Sequence, residues 1–67
     1  MSKITKQDLV KLKELITFSD RYELSIQFWP NQVAVYIAKN GIDLNSVGGD
    51  FSAIDKALDY LKRINKL

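Results

Sequence analysis

Apolar and polar positions alternate strictly from Tyr22 to Phe28: Tyr22, Leu24, Ile26 and Phe28 fall on one side, Glu23, Ser25 and Gln27 on the other. That period of two is the pattern of a half-buried strand. Pro30 lacks a backbone donor but suits the second position of a four-residue turn from Trp29 to Gln32. A turn there sets Phe28 opposite Val33, Ile26 opposite Val35 and Leu24 opposite Ile37, so the second strand, from Val33 to Lys39, shares its apolar face with the first. Asn40-Gly41 is a strong hairpin signal, because both residues tolerate the positive φ of a type I′ turn. Regular pairing across it sets Lys39 opposite Ile42, Ile37 opposite Leu44 and Val35 opposite Ser46. A slip of one residue at either turn would mix the faces. On this register the outer face carries Glu23, Ser25 and Gln27, then Ala34, Tyr36 and Ala38, then Asp43, Asn45 and Val47, and Gly48-Gly49 ends the sheet.

The flanking segments carry helical spacing. Thr5 with Asp8 three residues on resembles a capping box, with Ile4 and Leu9 placed for a hydrophobic staple. Leu9, Leu12 and Ile16, with Val10 and Leu15 beside them, predict an amphipathic helix over about 6–18. Beyond the glycines, Asp50 or Ser52 is placed to cap a second helix, and Ser52 with Asp55 repeats the capping spacing. Ile54, Ala57, Leu58, Leu61 and Ile64 form its apolar stripe. Lys62, Arg63 and Lys66 lie toward the end where cations suit the helix dipole, and Asp59 precedes Arg63 by four. Both stripes are expected on the one large apolar surface, the inner face of the sheet. The predicted fold is α+β: a two-layer α-β-β-β-α domain over residues 1–67, a three-stranded antiparallel meander with two helices on one face. Leu24, Ile26, Phe28, Val33, Val35 and Ile37 are its expected centre.

Composition narrows the possibilities rather than naming a function. Sixty-seven residues suffice for one small domain, and a chain of this size buries only about 60% of its unfolded surface. Small scaffolds compensate with disulfides, a metal or a partner chain. The chain has neither Cys nor His, which removes disulfides and the usual nitrogen and sulfur metal ligands and leaves oligomerisation, so a homodimer is one expectation. Ten Lys and Arg against eight Asp and Glu give a net charge of +2, too weak a surplus to argue for nucleic acid by itself. No apolar run reaches a membrane span. The start from Met1 to Gln7 lacks the apolar core of a secretory signal, and the absence of cysteine fits the cytoplasm.

Chemistry-bearing motifs are missing. With no Cys or His and no phosphate loop of P-loop or Rossmann spacing, catalysis is not expected, nor is a cofactor. Gly48-Gly49-Asp50 reads as a tight turn and cap rather than an anion site, since Asp50 puts a negative charge there. Asp43, Asp50 and Asp55 match no metal-binding loop. The more informative surface is the outer face of the sheet, where Trp29, Ala34, Tyr36, Ala38 and Val47 form a candidate contact patch for a protein partner, aromatics being enriched at interfaces. Lys6, Lys13, Lys62, Arg63 and Lys66 are the candidate phosphate contacts should the partner be nucleic acid.

The α-β-β-β-α order, with Gly48-Gly49-Asp50-Phe51-Ser52-Ala53-Ile54-Asp55-Lys56-Ala57-Leu58 entering the last helix, resembles the double-stranded RNA-binding domain. That family meets phosphates with a lysine cluster at the start of the last helix. This chain offers Asp50, Ser52, Ala53 and Asp55 there, with Lys56 alone, so the resemblance extends to topology and to no RNA-contacting residue. Ile26-Gln27-Phe28-Trp29-Pro30, the Gly48-Gly49 step and Ala57-Leu58-Asp59-Tyr60-Leu61 resemble small accessory proteins of phages and mobile elements in Gram-positive bacteria. That second resemblance implies a stoichiometric binder, such as an inhibitor of a host defence nuclease of the CRISPR class. The leading expectation is therefore a non-enzymatic protein-binding module, with a nucleic-acid binder and a structural homodimer as alternatives.

Overall fold

The computed structural model describes residues 4–66; Met1, Ser2 and Lys3, part of the polar start noted above, lie outside them. Helix α1 spans Lys6–Ile16 and continues as a 3-10 turn over Thr17–Asp20. Strands β1 (Glu23–Trp29), β2 (Gln32–Lys39) and β3 (Ile42–Gly49) follow, and helix α2 (Ser52–Ile64) closes the order. The strands form one antiparallel sheet in the order β1-β2-β3. This is the α+β meander with two helices that the pattern predicts. Among the described residues, no helix is long and apolar enough to cross a membrane.

The local signals at the first helix and both turns act as expected. The Thr5 side chain accepts from the Asp8 N–H at 3.1 Å and the Asp8 carboxylate accepts from the Thr5 N–H at 2.9 Å, a complete capping box. Pro30-Asn31 closes the first hairpin with Trp29 paired to Gln32, and Leu24, Ile26 and Phe28 face Ile37, Val35 and Val33. At the second turn Asn40 and Gly41 take φ of 54° and 77°, the left-handed pair that a type I′ turn requires. The 3-10 turn places Phe18 against Tyr22, with ring centroids 6.5 Å apart, and Lys39 Nζ lies 5.2 Å from the Tyr22 ring centroid.

β3 departs from the regular register. Lys39 faces Ile42 and Ala38 faces Asp43, but Ile37 faces Asn45, so Leu44 is an extra residue forming a bulge. Beyond it every side chain changes face. Val47 pairs with Val35 and packs, half-buried, against the core. Ser46 pairs with Tyr36 on the outer face. The reason lies in the sequence: the apolar residues of this strand are Ile42, Leu44 and Val47, whose phase shifts by one, and only an inserted residue lets Val47 reach the core. Gly48 and Gly49 end the sheet, as the last residues of β3, paired with Ala34 and Val33.

The core is centred on β2 and α2 rather than on both strands of the first hairpin. Val33, Val35 and Ile37 are buried with Ile54, Ala57, Leu61, Leu15 and Phe51, whereas Leu24 and Ile26 are half-buried and Phe28 is 50% exposed. The helices explain this. α2 packs over β2 and β3, while α1 makes its main contact with α2 instead of sharing the sheet. Lys11 pairs with Asp55 at 2.9 Å and Glu14 with Lys62 at 3.1 Å, and Arg21 donates to Asn65 at 3.2 Å. These contacts make the two helices parallel neighbours. Leu15 alone in α1 is fully buried, and Leu9, Val10 and Ile16, expected in its inward stripe, are exposed. α2 starts without the Ser52–Asp55 box. Instead the Asp50 carboxylate accepts from both the N–H, at 3.0 Å, and the hydroxyl of Ser52, and Phe51 occupies the cap position.

Candidate functional site

Among the described residues no helix covers the outer face of the sheet, because α2 contacts the strands from the side that carries Val33, Val35 and Ile37. Its composition follows from the register. Ser25, Tyr36 and Ser46 form the central row; Gln27, Ala34 and Gly48 form the row on one side of it, and Glu23, Ala38 and Asp43 the row on the other. Trp29 and Gln32 extend the face at the Pro30 turn. Tyr36, 46% exposed, thus rises from a floor of alanine, serine and glycine, with Trp29, 44% exposed, at the rim.

The floor is low because its side chains are small or missing, although Gly48 has room for a Cβ. Ala34 is buried although it lies on the outer face, and a Cβ built on Gly48 would sit 3.8 Å from the Ala34 Cβ, an ordinary contact. The pair leaves a flat step beside Tyr36 where a partner's side chain can approach the sheet closely. On the other side of Tyr36 the Leu44 bulge opens a depression of about 440 Å³ lined by Tyr36, Asp43, Leu44, Asn45 and Ser46. Leu44 is 40% exposed there, an apolar wall beside the phenol.

Of the five residues predicted for a contact patch, Trp29, Ala34, Tyr36 and Ala38 lie together on this face. Val47 does not: the bulge turns it inward to Val35, so it leaves the patch and Leu44 and Ser46 take its place. Asn45, expected outside, likewise pairs with Ile37 on the inner side. The signal that could have found Leu44 is the phase change from Leu44 to Val47, which a regular hairpin cannot accommodate without burying Ser46 and exposing Val47.

The cationic candidates are dispersed. Lys6 lies in the first turn of α1 and Lys66 beyond the end of α2, and because the helices are parallel these are opposite ends of the molecule. Lys62 is paired with Glu14 and Arg63 with Asp59 at 2.9 Å, while Lys13 sits on the exposed side of α1. Lys62 and Lys66 do meet Arg21 in an open cleft of about 500 Å³ at the carboxyl ends of both helices, together with Phe18 and Asp20. The start of α2 carries Asp50 and Asp55. Hydrogen bonds from the Ser52 hydroxyl, and then from its N–H, hold the Asp50 carboxyl below the usual carboxylate range, with Lys56 adding a smaller effect against slight desolvation. Asp50 is therefore charged at neutral pH, and the cations nearby, Lys56 and the Lys11 paired with Asp55, are matched by these two carboxylates. Among the described residues no three potential metal ligands gather around one point.

No family model matches the chain, and no match is found among curated proteins or solved structures.

Proposed function

We propose that the chain is a non-enzymatic module that binds a protein partner through the outer face of its sheet, with Trp29 and Tyr36 as anchors and Leu44 at the edge of the contact. The observation that carries this reading is the exposed Tyr36 ring on a floor of small residues. A large rigid aromatic gains most on burial when its surroundings let the partner close around it and exclude water. Among the described residues the face offers no cluster of cations to phosphate and no convergent acid, base or nucleophile, which favours protein over nucleic acid and binding over catalysis. Such a module acts stoichiometrically, by occupying its partner's surface. An inhibitor of the phage accessory kind, directed at a host defence nuclease, is one form of it, supported by the sequence resemblance alone.

The test is binding to partners from the native host by the wild-type chain, Trp29→Ala and Tyr36→Ala. Each aromatic is about half exposed, so both variants are expected to keep the wild-type circular dichroism. Loss of an interfacial anchor costs about 2 kcal/mol or more, a drop in affinity of roughly thirty-fold. Two folded variants that bind as the wild type does would reject the outer face as the site.

A further inference from the structure

We propose that β1 is the seam of a homodimer, in which two copies join edge to edge through antiparallel β1 strands centred on Ile26. This concerns the edge of the sheet rather than its outer face; Trp29 belongs to both, whereas Tyr36 belongs only to the outer face and separates the two readings. Among the described residues, β1 has a neighbour on one side only. Its free edge can be assigned residue by residue. Trp29 and Gln32 flank the two-residue turn and exchange hydrogen bonds, so Gln27, Ser25 and Glu23 also bond toward β2. The N–H and C=O groups of Leu24, Ile26 and Phe28 then point away from the sheet, available to another strand.

The edge is unprotected and self-complementary. Natural sheets guard such edges with bulges, prolines or lysines. β3 shows guarding features, the Leu44 bulge and Asp43. β1 pairs regularly from Glu23 to Trp29 and carries a single charge, Glu23, whose carboxylate accepts from the Gly41 N–H at 3.1 Å. Only one antiparallel register overlaps both strands over their full length: Ile26 faces Ile26 of the second copy, Leu24 faces Phe28, Ser25 faces Gln27 and Glu23 faces Trp29. In that register the outward-pointing groups of Leu24, Ile26 and Phe28 meet each other, apolar side chains face apolar ones on the inner side, and no like charges are opposed. It is an isologous two-fold contact.

The flank of α1 agrees. Leu9 and Ile16, each 50% exposed, project from the side of α1 opposite to Lys11 and Glu14, which bind α2. α1 is joined to β1 by the 3-10 turn that touches both, and Phe28 on β1 is likewise half exposed. A second copy is the occupant that answers to the strand's hydrogen-bonding groups and to its palindromic apolar pattern together.

Light scattering at high micromolar concentration is expected to give the mass of two chains for the wild type and of one chain for Phe28→Lys, which sets a charge opposite Leu24. Because the chain has no cysteine, the register can be tested covalently. Ser25 and Gln27 would be a non-hydrogen-bonded pair across the seam, with Cα atoms about 4.5 Å apart, within disulfide reach. The double variant S25C/Q27C should oxidise to a covalent dimer, while S25C alone should not. A wild type that stays monomeric, or a dimer in which S25C/Q27C fails to cross-link, would overturn the proposal; Tyr36→Ala, which lies on β2 and outside the seam, should leave the dimer intact, and loss of the dimer in that variant would also overturn it.

Discussion

At the scale of single residues, the helix starts show how little chemistry is needed to place an element. The reciprocal Thr5–Asp8 pair satisfies two of the donors that a helix start leaves unpaired, and such a cap contributes about 1 kcal/mol. At α2 the work falls to Asp50, whose carboxylate accepts two hydrogen bonds from Ser52. The lowered Asp50 pKa means that the native state holds its proton less tightly than the unfolded chain does. Its contribution is thus fully present above the unfolded value of about 4 and is lost as pH falls through the lower native value. Urea unfolding followed from pH 6 to pH 2 should show the wild type losing more stability than Asp50→Asn. Parallel curves for the two proteins would remove Asp50 from the account.

At the scale of elements, legibility depended on whether a local signal had a single structural answer. Both turns did, since Pro30-Asn31 and Asn40-Gly41 each fix a hairpin and together fix the faces of β1 and β2. β3 did not follow from its turn, because regular pairing and the apolar phase disagree after Leu44, and tertiary burial of Val47 decided in favour of a bulge. α1 was legible as a helix but not in its orientation. Leu9, Val10, Leu12, Leu15 and Ile16 spread over more than one stripe, and its neighbour α2, which no sequence period reveals, selected the side of Leu15. Phe51 escaped notice for a similar reason: it lies between a turn and a helix, where periodicity has nothing to repeat. The candidate site was legible as far as the first hairpin determines it, and wrong at Val47 where the bulge intervenes. The bulge makes a prediction that separates the two registers. Val47→Asp should destabilise the fold by more than about 2 kcal/mol, since it places a charge against the core. Ser46→Asp, on the outer face, should change stability by about 0.5 kcal/mol or less. The reverse order in chemical denaturation would restore the regular register.

At the scale of the whole molecule, one layer of helices serves one face of the sheet and leaves the other open. The buried face is where the chain spends its apolar residues: Val33, Val35 and Ile37 under Ile54, Ala57 and Leu61. The open face carries an aromatic where solvation alone would favour polar side chains, and α1 is displaced enough to expose Leu9, Ile16 and Phe28. A domain this small has few ways to add stability, and pairing through β1 would both shield that flank and place two outer faces on one continuous sheet. Three of the ten lysines and arginines, Lys11, Lys62 and Arg63, pair with carboxylates of the same chain, and exposed pairs of this kind contribute only a few tenths of a kcal/mol each.

The outer face, with Tyr36 at its centre, is the central claim, and site-specific photo-cross-linking tests it most directly. A photoreactive phenylalanine derivative is placed at position 36 in one protein and, as a control, at position 63 on the exposed side of α2 in another. Each is irradiated in lysate of the native host. The account predicts a discrete adduct with a protein other than the chain itself from position 36 and none from position 63. Adducts from position 63 alone, or none from position 36, would contradict it.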